Sequence, residues 1–236
     1  MEKPLVSIIM PCRFKPEITR VCLDSLESYT DNYQLILIQD GEDEIMSNVL
    51  KDYGVEMIDE RIYNEIPQGW VKAINQGMKK VSLDSEYVIF LNDDVVITPY
   101  WLDKLIAHFE KDETLGIVGP ITNQVAGKQH INYNDGSGFE ETNDIIGFCM
   151  VFRKSVLDEL YRKDGYYMDE RFGFGGQDDI DICWRAKKLG YKIGIVRDVF
   201  IYHYGSKAFR ELMNTEESQK YAQSKINILN EKYGIV

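Results

Sequence analysis

The residues best placed to do chemistry are carboxylates that follow apolar runs. In EYVIFLNDDVVITPYWLDKL a strand-like run ends in Asn92-Asp93-Asp94. Open α/β sheets bind ligands beyond the carboxyl ends of their strands. A helix cap would be the structural use for these acids, but Thr98 followed by Pro99 already offers an N-cap and a first helical residue. Adjacent carboxylates at a strand end therefore suit a divalent metal bound to a diphosphate. A second group, Asp178, Asp179 and Asp181, opens an amphipathic helix in GFGGQDDIDICWRAKKLGYKI. Capping and the helix dipole favour aspartate in a first turn, yet that account needs one cap and three acids are present. The third feature is His203 in FIYHYGS, an imidazole that gains meaning only beside the other two groups.

The elements that must position these groups follow from the hydropathy pattern. β-Branched apolar runs alternate with helical periodicity, the sign of βαβ units and a mostly parallel sheet. Strands are expected at 6–10, 34–39, 55–58, 87–91 and 115–119, and helices at 16–29, 43–53, 69–81 and 99–111. Residues 123–144, rich in Gly, Asn and Asp, read as a long loop. A strand at 145–153 and a helix at 155–163 capped by Ser155 come next, then a glycine- and aromatic-bearing loop at 164–177. A helix at 179–189, a strand near 191–196, the segment 199–204 and a helix at 215–233 complete the reading. The last helix has a weak apolar stripe of Tyr221, Ile228 and Leu229.

Composition narrows the function classes. A formal net charge of −12 opposes the phosphate-backbone attraction on which nucleic-acid binding depends, so no nucleic-acid partner is expected. A bound diphosphate would need a metal ion against the same field. Cys12, Cys22, Cys149 and Cys183 contain no C-x-x-C pair and read as reduced, buried thiols. The first apolar run is too short for a signal segment or a membrane span, which points to the cytoplasm.

Taken together, the motifs resemble family 2 glycosyltransferases across nearly all of residues 6–204. VSIIMPCRFKPE is similar to the family's first strand and turn, and LILIQDG to its second strand, ending at Asp40. IPQGWVKAINQG resembles the family's glycine–asparagine helix start at Gly69, Ala73, Asn75 and Gly77. FLNDDVVITPYWL resembles the D-x-D strand with Asn92 in place of the first aspartate, DDIDICWRAKKLGYKI the acidic helix, and His203 the histidine that follows. The departures are Gln39-Asp40-Gly41-Glu42 where D-D-G-S is frequent, and Arg13 where an aromatic often stands.

The resemblance implies an α/β, GT-A fold (nucleotide-diphospho-sugar transferase-like) with a mostly parallel central sheet and helices on both faces. It implies one domain over 1–210, with a nucleotide-binding half at 1–122 and an acceptor-binding half at 123–210, followed by a helical tail at 211–236. The implied donor contacts are Pro11, Cys12, Arg13, Asp40, Gly69, Lys72, Asn75, Asn92 and Asp93. Asp94 and His203 are the implied ligands of Mn²⁺ or Mg²⁺, Asp179 the base of an inverting transfer, and Asp178 an acceptor-orienting group. The donor would be a nucleotide-diphosphate sugar, with UDP first and GDP or dTDP as alternatives. The acceptor hydroxyl would belong to a glycan, a lipid-linked sugar or a protein in surface glycan or glycoconjugate synthesis, and a lipid-linked acceptor would bring the protein to the membrane periphery. The glycines and aromatics of 123–144 and 164–177 suggest an acceptor groove that orders on donor binding.

Other classes lack their motifs. No glycine-rich G-x-G-x-x-G follows the first strand, no G-x-x-x-x-G-K-[ST] occurs, and the glycine-rich, Arg-containing signature of sugar nucleotidyltransferases is absent. A catalytically silent sugar- or nucleotide-binding domain of the same fold is the alternative.

Overall fold

The computed structural model describes residues 5–54, 56–205 and 215–235. Its centre is an eight-stranded sheet in the order β3-β2-β1-β4-β8-β6-β9-β7. The strands are β1 (Val6–Cys12), β2 (Tyr33–Asp40), β3 (Glu60–Asn64), β4 (Tyr87–Leu91), β6 (Leu115–Ile121), β7 (Phe139–Thr142), β8 (Cys149–Arg153) and β9 (Lys192–Phe200). All run in one direction except β8, antiparallel to both β4 and β6, and the edge strand β7, antiparallel to β9. A separate two-stranded ladder joins β5 (Val95–Val96) to β10 (Tyr202–His203).

The inner strands are apolar on both faces because both are covered. Ile8, Met10, Leu35 and Leu37 pack with α1 (Pro16–Tyr29), α2 (Glu44–Lys51) and α4 (Trp101–Lys111). Ile9, Ile36 and Ile38 face the other core, with α3 (Trp70–Met78), α5 (Lys154–Asp164), α6 (Asp178–Lys188) and Leu229 of α7 (Thr215–Tyr233). The period-2 alternation of a strand sends neighbouring residues to opposite cores.

Several expected boundaries move, each for a local reason. The strand expected at 55–58 gives way to β3, five or six residues later. Met57 N and Ile58 N both bond the Gly54 carbonyl, so these apolar residues enter the core from a turn, and pairing with β2 begins only after Asp59 meets Leu35; Val55 lies outside the described residues. The loop 123–144 contains β7, whose sequence FEET carries little apolar signal. Phe139 there fills the space above Gly194, where a side chain would come within 2.1 Å of its ring. Arg197, 4% exposed, anchors the same segment through Tyr133 O at 2.7 Å and through Glu140.

Two expected caps are absent. Thr98 Oγ1 donates to Phe200 O at 2.6 Å, and α4 starts instead from Tyr100 in a left-handed conformation, φ 62°. Ser155 sits inside α5, which begins at Lys154 with no side-chain cap.

Candidate active site

Six parallel strands deliver their carboxyl ends to one edge of the sheet, where a cavity of about 500 Å³ opens. Asn92 follows β4, and its N–H donates to Phe148 O at 2.9 Å. Asp93 turns inward: its Oδ2 accepts from Arg13 N at 3.1 Å and Thr19 Oγ1 at 2.8 Å, fixing the β1–α1 turn. Burial, reinforced by the charge of Asp94, pushes the Asp93 carboxyl up to about 7.

Asp94 faces His203 because the β5–β10 ladder pairs Val95 with His203 and Tyr204 N bonds Asp94 O at 2.9 Å. Asn123 clamps the His203 backbone, accepting from its N–H at 2.8 Å and donating to its carbonyl at 3.2 Å. The imidazole stacks on Phe148 with ring centres 5.2 Å apart. His203 Nε2 lies 3.1 Å from Asp94 Oδ1, yet the two make no hydrogen bond, and both are buried without any other partner. Unpaired buried polar atoms are costly, and a cation shared between these two would satisfy both at once. Ligands about 2.1 Å from a divalent ion and at right angles to each other stand about 3 Å apart, so the pair fits one. Among the described residues no group of three or more His, Cys, Asp or Glu gathers around a point. A divalent ion bound by this pair would draw the rest of its ligand shell from elsewhere.

The opposite wall is the start of α6. Gly175, Gly176 and Gln177 all have positive φ (114°, 100° and 68°), a tight turn that drops the chain into the helix. Asp178 Oδ1 accepts from Gly176 N at 2.5 Å; Asp179 accepts from Gly147 N at 3.1 Å and Ile180 N at 2.9 Å. Both acids line the cavity. A helix N-terminus favours the charged form of a carboxylate, and burial opposes it here. Burial, then the charge of Asp179, pushes Asp178 up to about 7, and burial also raises Asp179. Asp181 has a different job. It is 1% exposed and accepts from Lys232 Nζ at 2.8 Å and Tyr233 Oη at 2.9 Å, tying α7 to α6.

On the remaining side stand Pro11, Cys12, Arg13, Asp40 and Gly69. Asp40 accepts from Gln68 N and Gly69 N, each at 2.8 Å, and from Asn64 Nδ2 at 2.9 Å, so it shapes the entry to α3. The Arg13 guanidinium sits 4.0 Å over the Phe14 ring and 5.9 Å from that of Phe174. Lys72 and Asn75 are the two expected donor contacts that the cavity does not include. Lys72 is exposed. Asn75 exchanges two hydrogen bonds with the Met168 backbone, 2.9 and 3.0 Å, clamping the 164–177 loop to α3.

Sequence reasoning missed Trp70 and Phe148, and it missed Tyr221 and Lys225, which reach the cavity from α7; Phe174 belongs to the aromatic loop it had marked. Trp70 adjoins Gly69, which was singled out. Nothing in the sequence of α7 marks it as part of a site, because its role depends on docking.

Known proteins resemble this chain in sequence and in fold. The model of the family described as Glycosyl transferase family 2 matches residues 7–161. The O-antigen biosynthesis protein RfbC of Myxococcus xanthus is 23% identical over 235 residues, an alignment covering 88% of this chain and 18% of the relative. A hyaluronan synthase of Pasteurella multocida is 22% identical over 241 residues, covering 84% and 24%. The chain thus spans about a quarter or less of the length of these relatives. A crystal structure of GalNAc-T7 with UDP, GalNAc and Mn²⁺ superposes with a TM-score of 0.68 at 14% identity, covering 86% of this chain and 44% of that one. The fold is the GT-A fold that the motifs imply.

Proposed function

Because the chain belongs to glycosyl transferase family 2, we propose that it moves a sugar, a hexose or a derivative of one, from a nucleotide-diphosphate donor to a hydroxyl acceptor, with inversion. The observation that carries this reading is the orphaned pair Asp94 Oδ1 and His203 Nε2, 3.1 Å apart at the strand ends. These two residues would hold Mn²⁺ or Mg²⁺, which when bound would act as a Lewis acid toward the diphosphate leaving group. The Mn²⁺ and UDP of the GalNAc-T7 structure support the choice of metal and nucleotide.

The chain's own residues supply the rest. Pro11, Cys12, Arg13 and Asp40 form the wall that receives the nucleotide, and Asn92 and Asp93 border the sugar. Asp179 is the base. The Gly147 N–H fixes its carboxylate, and burial raises its proton affinity, which suits a group that must accept the acceptor's hydroxyl proton. Asp178, held by Gly176 N, orients the acceptor. The division into a donor half, 1–122, and an acceptor half, 123–210, belongs to this proposal, as does a role in surface glycan synthesis, which the O-antigen and hyaluronan relatives support. Among the described residues no helix is long and apolar enough to cross a membrane.

The test uses water as a surrogate acceptor. The protein with Mn²⁺ is incubated with UDP-, GDP- and dTDP-sugars, nucleotide release is measured, and the first anomer of the freed sugar is read by NMR. An α-linked donor should yield the β-sugar first. Release of the α-anomer would contradict inversion, and no release from any donor would favour a silent binding domain.

A further inference from the structure

The last helix brings to the cavity wall a cation that the proposed chemistry does not use. Lys225 is 8% exposed, and a buried ammonium is unfavourable unless its charge is met. Its Nζ donates to the Arg171 carbonyl at 3.1 Å and lies 4.4 Å from the Tyr221 ring, neither of which carries a formal negative charge. The neighbouring inward lysine of α7, Lys232, is fully paired, with Asp181 at 2.8 Å and Asp169 at 2.9 Å. Lys225 has no carboxylate within ion-pair distance among the described residues. Burial lowers its pKa, against an opposing pull from Asp178. An ammonium has three donors, so capacity remains for a ligand.

Its surroundings narrow what it would meet. Lys225 borders the 173–176 turn: a Cβ built on Gly173 would stand 3.5 Å from its Nζ, and one on Gly176 would stand 3.7 Å from its Cγ. With the diphosphate assigned to Asp94 and His203, the anionic group left for this ammonium is one carried by a sugar.

Resting on the donor reading above, we propose that Lys225 binds a carboxylate carried by a sugar, so that this transferase handles an acidic sugar as donor or as acceptor. A neutral sugar leaves the ammonium unmet, and a site built around a buried polar group rejects ligands that fail to satisfy it.

Two calorimetric arms separate the sources. In the donor arm, UDP-glucuronate is compared with UDP-glucose, and GDP-mannuronate with GDP-mannose, all with Mn²⁺. In the acceptor arm, glucuronate is compared with glucose on the protein saturated with UDP or GDP. In one arm the acidic sugar should bind about tenfold tighter or more, as a charge-assisted bond implies. Lys225→Met should erase that preference while leaving UDP or GDP affinity unchanged, and Lys225→Arg should keep most of it. The proposal is overturned if neither arm prefers the acid, or if the preference survives in Lys225→Met. Equal weakening of the bare nucleotide by Lys225→Met would also overturn it, since the lysine would then serve the diphosphate. Failure of wild-type protein to bind any nucleotide would instead refute the donor reading itself, and this proposal with it.

Discussion

Gly69 offers a sharp test of how the 173–176 turn is held over the nucleotide wall. Its φ of 85° and ψ of 164° fall in a region that essentially only glycine adopts. A Cβ there would meet the Phe174 Cα and Cδ1 at 2.9 Å and the Gly173 carbonyl at 3.1 Å. The first two distances are shorter than a carbon–carbon contact permits, and one of those atoms is backbone, so the turn itself must move. Strain at such a φ/ψ costs about 1–3 kcal/mol, and overpacking adds about 1–3 kcal/mol. Gly69→Ala should therefore lose about 2–6 kcal/mol of stability. Gly127 is the control: its φ is 83°, but a Cβ there meets nothing within 4 Å. Gly127→Ala should lose only about 1 kcal/mol. Urea denaturation of both variants measures the difference, and UDP calorimetry in Mn²⁺ should show weakened binding for Gly69→Ala alone. If Gly69→Ala is no less stable than Gly127→Ala, the contact with Phe174 does not constrain the turn and the reasoning fails.

Three further outcomes are expected. Lys232→Met strips Asp181 and Asp169 of their shared ammonium, and breaking such a buried pair should cost about 3 kcal/mol in urea denaturation; a loss under about 1 kcal/mol would show that α7 docks by other means. Asp93 should make the metal-free protein less stable as pH rises. Its folded pKa is about 7 against an ordinary 3.8, so between those values the unfolded chain gives up the proton that the folded chain keeps. In EDTA, stability should fall from about pH 4 to pH 7, and Asp93→Asn should make that slope shallower without abolishing it, because Asp178, also pushed up to about 7, adds a slope of the same sign; an unchanged slope would refute the buried, protonated state. Asp179→Asn should lower transfer by about 10² to 10⁴ with UDP affinity retained, whereas Asp178→Asn should act mainly through acceptor affinity; near wild-type transfer by Asp179→Asn would remove it as the base.

The sequence made one side of this site readable and hid the other. Asn92-Asp93-Asp94 stood out because an apolar strand ended in charge, and that strand spans 87–91 as read. The helices at 16–29 and 215–233 were legible from periodicity alone. The fate of Asp181 was not, since its partners Lys232 and Tyr233 lie about fifty residues away. Lys225 and Tyr221 escaped for the same reason: a lysine on a polar helix looks solvated until the helix is docked. The short strand β7 was hidden because an edge strand with one covered face can be mostly polar. The raised proton affinity of Asp178 and Asp179 was hidden too, because it comes from burial, a tertiary property.

The central claim is that Asp94 and His203 form half of a metal site that a nucleotide diphosphate completes. Calorimetry of UDP binding measures it directly, in Mn²⁺ and in EDTA, for wild type, Asp94→Ala and His203→Ala, with circular dichroism as the control for folding. Wild-type protein should bind UDP in Mn²⁺ and lose most of that affinity in EDTA, and each variant should bind in Mn²⁺ no better than wild type does in EDTA. Equal affinity with and without metal, or folded variants that keep the full Mn²⁺-dependent gain, would contradict the account.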